Sequence, residues 1–495
     1  MAALYLDDDI VDLRRDDGVV WQHYWGDPVE RVPAGDVPGK MRVRMPGQGG
    51  RIWDGFISDK VQLRTTSLLR LSMIDVQQGD GLIVETPGGK TLLIDGGDNK
   101  LFARHAAFRF AGSSAVNPKV IDAIIVTHGD ADHFKGLAEI AESEADTRPN
   151  KALFIAPKRI FHNGLVKRPD KLPNRKSRPD KDMFGASVKL GNRTFATALE
   201  EDPRTVPASE RNGPFNDWCA ALDHWGARTL ALTGQPMEVR RIDHQSGAAF
   251  DFLGTEGIAV ELHGPITETA GGGAALRFFR DPPKDAALMN GEVRPAGKGS
   301  LSASHTINGH SISFRLKYGH VRFLFTGDLN HESMAMLRTT LPNASLACDI
   351  LKTPHHGSSD FEMAYLQEAG PVVSLISSGD ESEVKEHIHP RATLMAALGK
   401  ASRSTPAVIF NTELAAFFAY RGLVLKPKVG RVPERWFEGF ERLNFGIIHI
   451  RTDGDRVLAF THSGKRGMNE AYRFNVSLTG AVQFAAQAVK HSAPD

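Results

Sequence analysis

Cysteine is nearly missing from this chain. Among 495 residues only Cys219 and Cys348 occur, which excludes a disulfide scaffold and a cysteine zinc cluster and suits a reducing compartment. Any metal ligands must therefore come from histidine and carboxylate. Long apolar runs are missing too: none approaches the roughly 18 to 20 residues that span a bilayer. The opening residues carry no basic stretch leading into an apolar core, so no secretory signal is expected, and the protein is expected in the cytoplasm without a membrane partner. An excess of one charge is the third thing lacking. With 60 basic and 59 acidic residues the net charge is +1, so no global field attracts nucleic acid or an anionic surface, and any such preference must be local.

What is present is ample material for a large core, 41% hydrophobic residues in a length that suits two or three domains or one elaborated one. Residues 1–65 mix acids, Gly and Pro with Trp21, Trp25 and Trp53 and show no long period. They are expected to form a small β-rich module or a partner-docking surface. From Leu68 the texture changes: residues 68–76, 82–86 and 91–94 read as consecutive antiparallel strands, with turns at Gly79-Asp80-Gly81 and Pro87-Gly88-Gly89. A helix is expected from Gly136, an insertion over about 150–260, a hairpin about Tyr318-Gly319 and a late hairpin about Asp453-Gly454.

Chemistry-bearing residues concentrate where strands end. His128-Gly129-Asp130-Ala131-Asp132-His133 follows the apolar run 123–127 and packs four metal-competent side chains into six residues. A solvated polar loop uses the same residue types, but a buried strand would deliver them together to a sheet edge. Three other apolar strands end in Asp95, in Asp328 and in His355-His356-Gly357-Ser358. Strand ends on one edge of a sheet meet in space however distant they are in sequence. One such cluster would be noise, whereas four make a site.

In these segments the chain resembles the metallo-β-lactamase superfamily, and within it the hydrolase domain of ComEC-type competence DNA-uptake proteins and their soluble relatives. The matching segments are Ile74-Asp75-Val76-Gln77-Gln78-Gly79-Asp80, Leu93-Ile94-Asp95-Gly96-Gly97, Thr127 to His133, Phe325-Thr326-Gly327-Asp328 and Leu351-Lys352-Thr353-Pro354-His355-His356-Gly357-Ser358, in family order across 68–395. Nothing like the membrane channel of those proteins is present. The resemblance implies an α/β (α+β) fold, a four-layer αββα sandwich over 66–425 with its insertion at about 150–260. Residues 1–65 would be an N-terminal extension and 426–495 a C-terminal β-hairpin extension.

The resemblance also implies a metal-dependent hydrolase with two divalent ions, Zn²⁺ or Mn²⁺, with Mg²⁺ as an alternative. Position by position, His128 and Asp130 would hold one ion and Asp132 and His133 the other. Asp328 would bridge them, and Asp95 would orient the ligating histidines from behind. Asp130 stands where the common superfamily pattern has histidine; a hard oxygen ligand there admits Mn²⁺ or Mg²⁺ beside Zn²⁺ and points away from the lactamases proper. His310 is either the further ligand that the superfamily places before its bridging Asp or a turn residue. The last ligand is His355, His356 or His389, with His356 favoured and the other two beside the site. Two ions about 3.5 to 4 Å apart would lower the pKa of a shared water and polarise the substrate. Asp132 would orient that water and take a proton. Lys352 would neutralise a phosphate, or else is a solvated lysine at a strand end.

Residues 158–181 carry Lys158, Arg159, Lys167, Arg168, Lys171, Arg175, Lys176, Arg178 and Lys181. Charge runs often serve only as solvated faces, but a basic loop beside such a site would gather a phosphodiester backbone without reading its sequence. The leading expectation is a phosphodiesterase or nuclease acting on DNA or RNA. A small phosphodiester such as a cyclic nucleotide, or an ester, thioester or lactam, is the alternative substrate, since fold does not choose among them. A third reading is a partner-gated effector, inactive in isolation, that docks a protein through the tryptophans of its N-terminal extension.

Overall fold

The computed structural model describes residues 3–280, 300–340, 346–379, 389–413, 418–426, 434–442, 446–461, 470–485 and 491–492. Its centre is built from strands that are apolar on both faces. Along Leu69–Ile74, Leu82–Glu85 and Thr91–Ile94, residues Leu71, Met73, Leu82, Val84, Leu92 and Ile94 point into one core, while Ile74, Ile83 and Leu93 point into another. Period-two alternation with both sets apolar leaves no face for water, so this sheet must be covered on both sides.

Two sheets meet over the first core. One has ten strands, in the order Glu238–Arg241, Arg159–His162, Ala123–Ile125, Thr91–Ile94, Leu82–Glu85, Leu69–Ile74, Ile447–Thr452, Arg456–Thr461, Ala471–Val476 and Val482–Phe484. The other has six, in the order Ile258–Gly264, Ser313–Tyr318, Val321–Phe325, Ile350–Lys352, Val373–Ile376 and Val408–Asn411. Phe314, Leu316, Phe323, Phe325, Ile350, Val373 and Leu375 of the six-stranded sheet fill the space against the ten-stranded one. Helices Leu101–Arg109, Ala131–Ser143 and Gly213–Thr233 cover the outer face of the larger sheet through Phe102, Phe134, Leu137, Trp218 and Trp225. Helices His331–Thr340, Met363–Ala369 and Ala392–Ala401 cover the smaller sheet through Met334, Tyr365, Leu366 and Leu394. The result is a four-layer αββα sandwich, the fold class expected from the sequence.

Several segments sit differently from their sequence reading. The helix expected from Gly136 begins at Ala131, because Asp130 is extended at the preceding position, and this places Asp132 and His133 in the first helical turn. The stretch 150–260 is not one excursion: Arg159–His162 and Glu238–Arg241 pair in parallel as strands of the larger sheet, and Trp218 and Trp225 pack onto it. The late hairpin continues that sheet too, since Ile447–Thr452 pairs antiparallel with Leu69–Ile74. No helix among the described residues is long and apolar enough to cross a membrane.

Seven N-terminal strands, joined by His491–Ser492 as an eighth, form a separate sheet around Leu6, Val11, Leu13, Val43, Met45, Trp53 and Ile57. Its tryptophans are core residues, not a free docking surface: Trp25 and Trp53 are buried and Trp21 packs edge-on against Trp53 at 4.9 Å. This module is fastened to the C-terminal strands by charge. Arg451 donates to the Trp25 carbonyl at 2.6 Å and pairs with Asp27 at 2.8 Å, and Arg473 pairs with Asp9 at 2.8 Å. Burial works against a charged Asp27, but Arg451 and His23 hold its carboxyl well below the ordinary range. Its contribution is therefore complete above about pH 4 and fades only as the pH falls further, toward the lowered value. Replacing Arg451 with Met takes the guanidinium partner from buried Asp27 and should cost about 3 to 5 kcal/mol. Urea unfolding followed by tryptophan fluorescence measures it, and an unchanged midpoint would contradict the assignment.

Candidate metal centre

The edge of the sandwich where strands end gathers the charged residues. Thr91–Ile94 runs parallel to Ala123–Ile125, and Val321–Phe325 runs parallel to Ile350–Lys352. Asp95, Thr127 to His133, Asp328 and His355-His356 therefore emerge from the same ends of their sheets. The loop after strand Leu69–Ile74 adds Asp80, which belongs to the first matching segment but is not among the expected ligands. Gly79, at φ +102°, passes so close to helix Ala131–Ser143 that a Cβ would lie 1.7 Å from the Asp132 carbonyl. Only glycine allows that approach, and it sets Asp80 into the site.

Asp80, His133, Asp328 and His356 each offer one ligand atom within 4.8 Å of the others, and all four are buried. His133 Nδ1 donates to Asp95 Oδ2 at 2.8 Å, which turns Nε2 toward Asp328 Oδ2 at 3.3 Å. Asp95 also accepts from the Thr127 amide at 2.8 Å and the Thr127 hydroxyl at 2.7 Å, so its own position is fixed. His356 lies 3.0 Å from Asp328 through Nε2 and 3.3 Å from Asp80 through Nδ1. Asp95, His355 and His356 hold φ of +54°, +46° and +51°. Left-handed backbone is costly for residues with a Cβ, so strain is concentrated where the cluster is assembled.

Burial penalises every charge here, and specific neighbours decide the outcome. Against burial, His356 and His133 hold Asp328 well below the ordinary carboxylate range. The carboxylates in turn hold His133 and His356 well above the ordinary imidazole value despite their own burial. Asp95 is pushed up, because burial outweighs His133. His128 is held well below the usual imidazole value by burial and by His133, and so is neutral and able to act as a ligand.

The other expected site residues take distinct places. His128 packs against His133 with ring centres 4.0 Å apart. The Asn308 amide, turned to satisfy its neighbours, donates to Asp130 Oδ2 at 2.9 Å and to His128 Nε2 at 3.3 Å, so it ties those two residues together. Asp130 also pairs with Lys167 at 2.9 Å. Asp132, with its side chain 23% exposed, accepts from Gln78 at 3.0 Å and lies 3.7 Å from His356. His355 Nε2 stands 3.8 Å from Asp328, and the His389 ring lies 6.0 Å from that of His355. Two residues depart from expectation. His310 is not brought into the cluster: its Nε2 bonds the Arg277 carbonyl at 2.7 Å and its ring stacks on Phe279. Lys352, with its side chain 2% exposed, pairs with Asp80 and donates to the Gly327 carbonyl at 2.9 Å. Its charge balances the buried acids and does not project to solvent. Sequence reasoning missed Asp80, Gln78 and Asn308, although Gln78 and Asp80 close the first of the segments on which the resemblance rests.

Residues 74–148 match the family model of the metallo-beta-lactamase superfamily. The matched segment contains Asp80, Asp95, His128, Asp130, Asp132 and His133. Among solved structures the chain is similar to the metallo-beta-lactamase fold protein YhfI from Bacillus subtilis, at 10% identity and a TM-score of 0.28, over 69% of this chain and 96% of that one. No curated protein matches the sequence.

The residues fit a divalent cation of the kind this superfamily binds. His133 Nε2 and both ring nitrogens of His356 lack a hydrogen bond of good geometry and face carboxylate oxygens 3.0 to 3.7 Å away. Imidazole and carboxylate together are a donor set for Zn²⁺ or Mn²⁺. Because Asp95 fixes the His133 ring, Asp95→Asn should weaken metal binding about 10- to 100-fold without unfolding the protein. Competition against a chromophoric chelator reads this directly, and wild-type affinity in the variant would refute the role.

Proposed function

We propose that this chain is a metal-dependent phosphodiesterase whose leading substrate class is nucleic acid. The observation that carries the reading is the 2.9 Å pair between Lys167 and Asp130, which brings Lys167 of the basic segment 158–181 to the candidate centre. Within that segment Lys158, Arg159 and Arg168 are engaged by Asp122, Glu238 and Glu210. Lys171, Arg175, Lys176 and Lys181 are exposed and left for a phosphate backbone. The likeness of the strand-end segments to the ComEC-type DNA-uptake hydrolases supports the same substrate class.

In this proposal His128, Asp130, Asp132, His133 and Asp328 would hold the divalent cations, with His356 and Asp80 completing the cluster. The chemistry such cations would supply is a more acidic water and a polarised phosphoryl oxygen. The protein's own part is positional. Asp132, kept ionised by His356 and His133 against its burial, accepts a proton from the attacking water and is aimed by Gln78. Lys352 offsets Asp80 and Asp328 when the cations are absent. The exposed lysines and arginines gather the polymer.

The test is a matrix of Mn²⁺, Zn²⁺ and Mg²⁺ against single-stranded DNA, double-stranded DNA, RNA, cyclic nucleotides and bis(p-nitrophenyl) phosphate. The expected result is polymer cleavage that weakens steeply with salt, with Asp132→Ala slower by about 10² to 10⁴. Turnover of the small diesters alone would move the substrate class. Full activity of Asp132→Ala would refute the site.

A further inference from the structure

A second group of metal-competent side chains lies outside the cluster described above. His305, on helix Ala303–Gly309, His331, which opens helix His331–Thr340, and Asp360 are all buried and offer ligand atoms within 4.8 Å of one another. We propose that these residues form a separate structural metal site, selective for a borderline cation such as Zn²⁺. The ligands come from three segments that do not adjoin in sequence, so burial of the group is a product of the fold and not of one local turn.

The geometry favours an ion over a simple hydrogen-bonded triad. Asp360 accepts from His331 Nδ1 through Oδ1, while its Oδ2 lies 3.5 Å from His305 Nδ1. That second separation is long for a hydrogen bond. It matches the edge of a tetrahedron around Zn²⁺, about 3.4 Å for bonds near 2.1 Å. His331 Nε2 is buried and without a hydrogen-bond partner, in a side chain only 8% exposed. Burying an imidazole nitrogen that way is costly unless something else is gained. On the far side of His305, Glu332 Oε2 lies 3.8 Å from Nε2, the place of a carboxylate that orients a ligating histidine.

Such an ion would clip together the pieces that frame the candidate metal centre. His331 follows Asp328 by three residues and Asp360 follows His356 by four. Asn330 donates to the His305 carbonyl at 2.8 Å, and the Asp360 amide bonds Ser358 Oγ at 3.2 Å, so the backbone around each ligand is already held. Two imidazoles and one carboxylate suit Zn²⁺ better than the hard cations Mg²⁺ or Ca²⁺.

The experiment uses the full chain, stripped with chelator, reloaded with Zn²⁺, desalted and counted by elemental analysis. His305→Gln and His331→Gln should each carry one Zn²⁺ fewer per chain than wild type, while Asp328→Asn retains this ion and loses metal from the other cluster. Folded variants with the wild-type count would overturn the proposal. Should the variants fail to fold, an anomalous difference map of wild-type crystals at the zinc edge decides. A peak about 2 Å from His305, His331 and Asp360 supports the site. Zinc at the other cluster with no peak here leaves a hydrogen-bonded triad and refutes it.

Discussion

The structure around the candidate metal centre depends on one chain of buried charge, Asp95 to His133 to Asp328 to His356. A lone ionised group in so dry a place is prohibitively costly, and each of these groups is tolerable only because the next one faces it. Asp95 accepts from His133 Nδ1, His133 and His356 converge on Asp328, and Asp80 lies beyond His356 with Lys352 against it. Removing one member strands the others. A divalent cation answers the same electrostatic demand with greater charge density, which is why the donor set reads as a metal centre and not as an ordinary salt-bridge network.

The sandwich supplies what that chain needs. Two sheets apolar on both faces bury the strands completely, and their parallel segments send His133, Asp328 and His356 to one edge. The layers are also joined at that edge: the Ile312 amide bonds the Thr127 carbonyl at 2.8 Å, and Ser311 Oγ, which accepts from the Asp328 amide at 2.9 Å, lies 3.3 Å from His128 Nδ1. Helix Ala131–Ser143 approaches the strand end at Asp95 so closely that a Cβ on Gly136 would lie 2.0 Å from the Gly96 carbonyl. The site is thus framed by backbone contacts before any ion is considered.

Much of this was legible in the sequence, for local reasons. Alternation along 68–76, 82–86 and 91–94 exposed the strands, and acids or histidines at strand ends marked the edge where chemistry gathers. What was not legible depended on long-range placement. Asp80 sits between two glycines, so its turn signal masked its role. The position of His310 near Asp328 in sequence says nothing of where its ring points, and the Arg277 carbonyl takes it. Lys352 ends a strand, which reads as solvated, yet it is buried with its ammonium against Asp80 and the Gly327 carbonyl. The pairing of Ile447–Thr452 with Leu69–Ile74 joins residues almost four hundred positions apart, beyond any local pattern.

The central claim is that the buried cluster around Asp328 exists to hold divalent cations. The most direct measurement is equilibrium dialysis of Zn²⁺ and Mn²⁺ against wild type and Asp328→Asn, with circular dichroism as the control for folding. The account predicts tight binding by wild type and its loss at this cluster in a folded variant. Equal affinity and stoichiometry in the two proteins would contradict it.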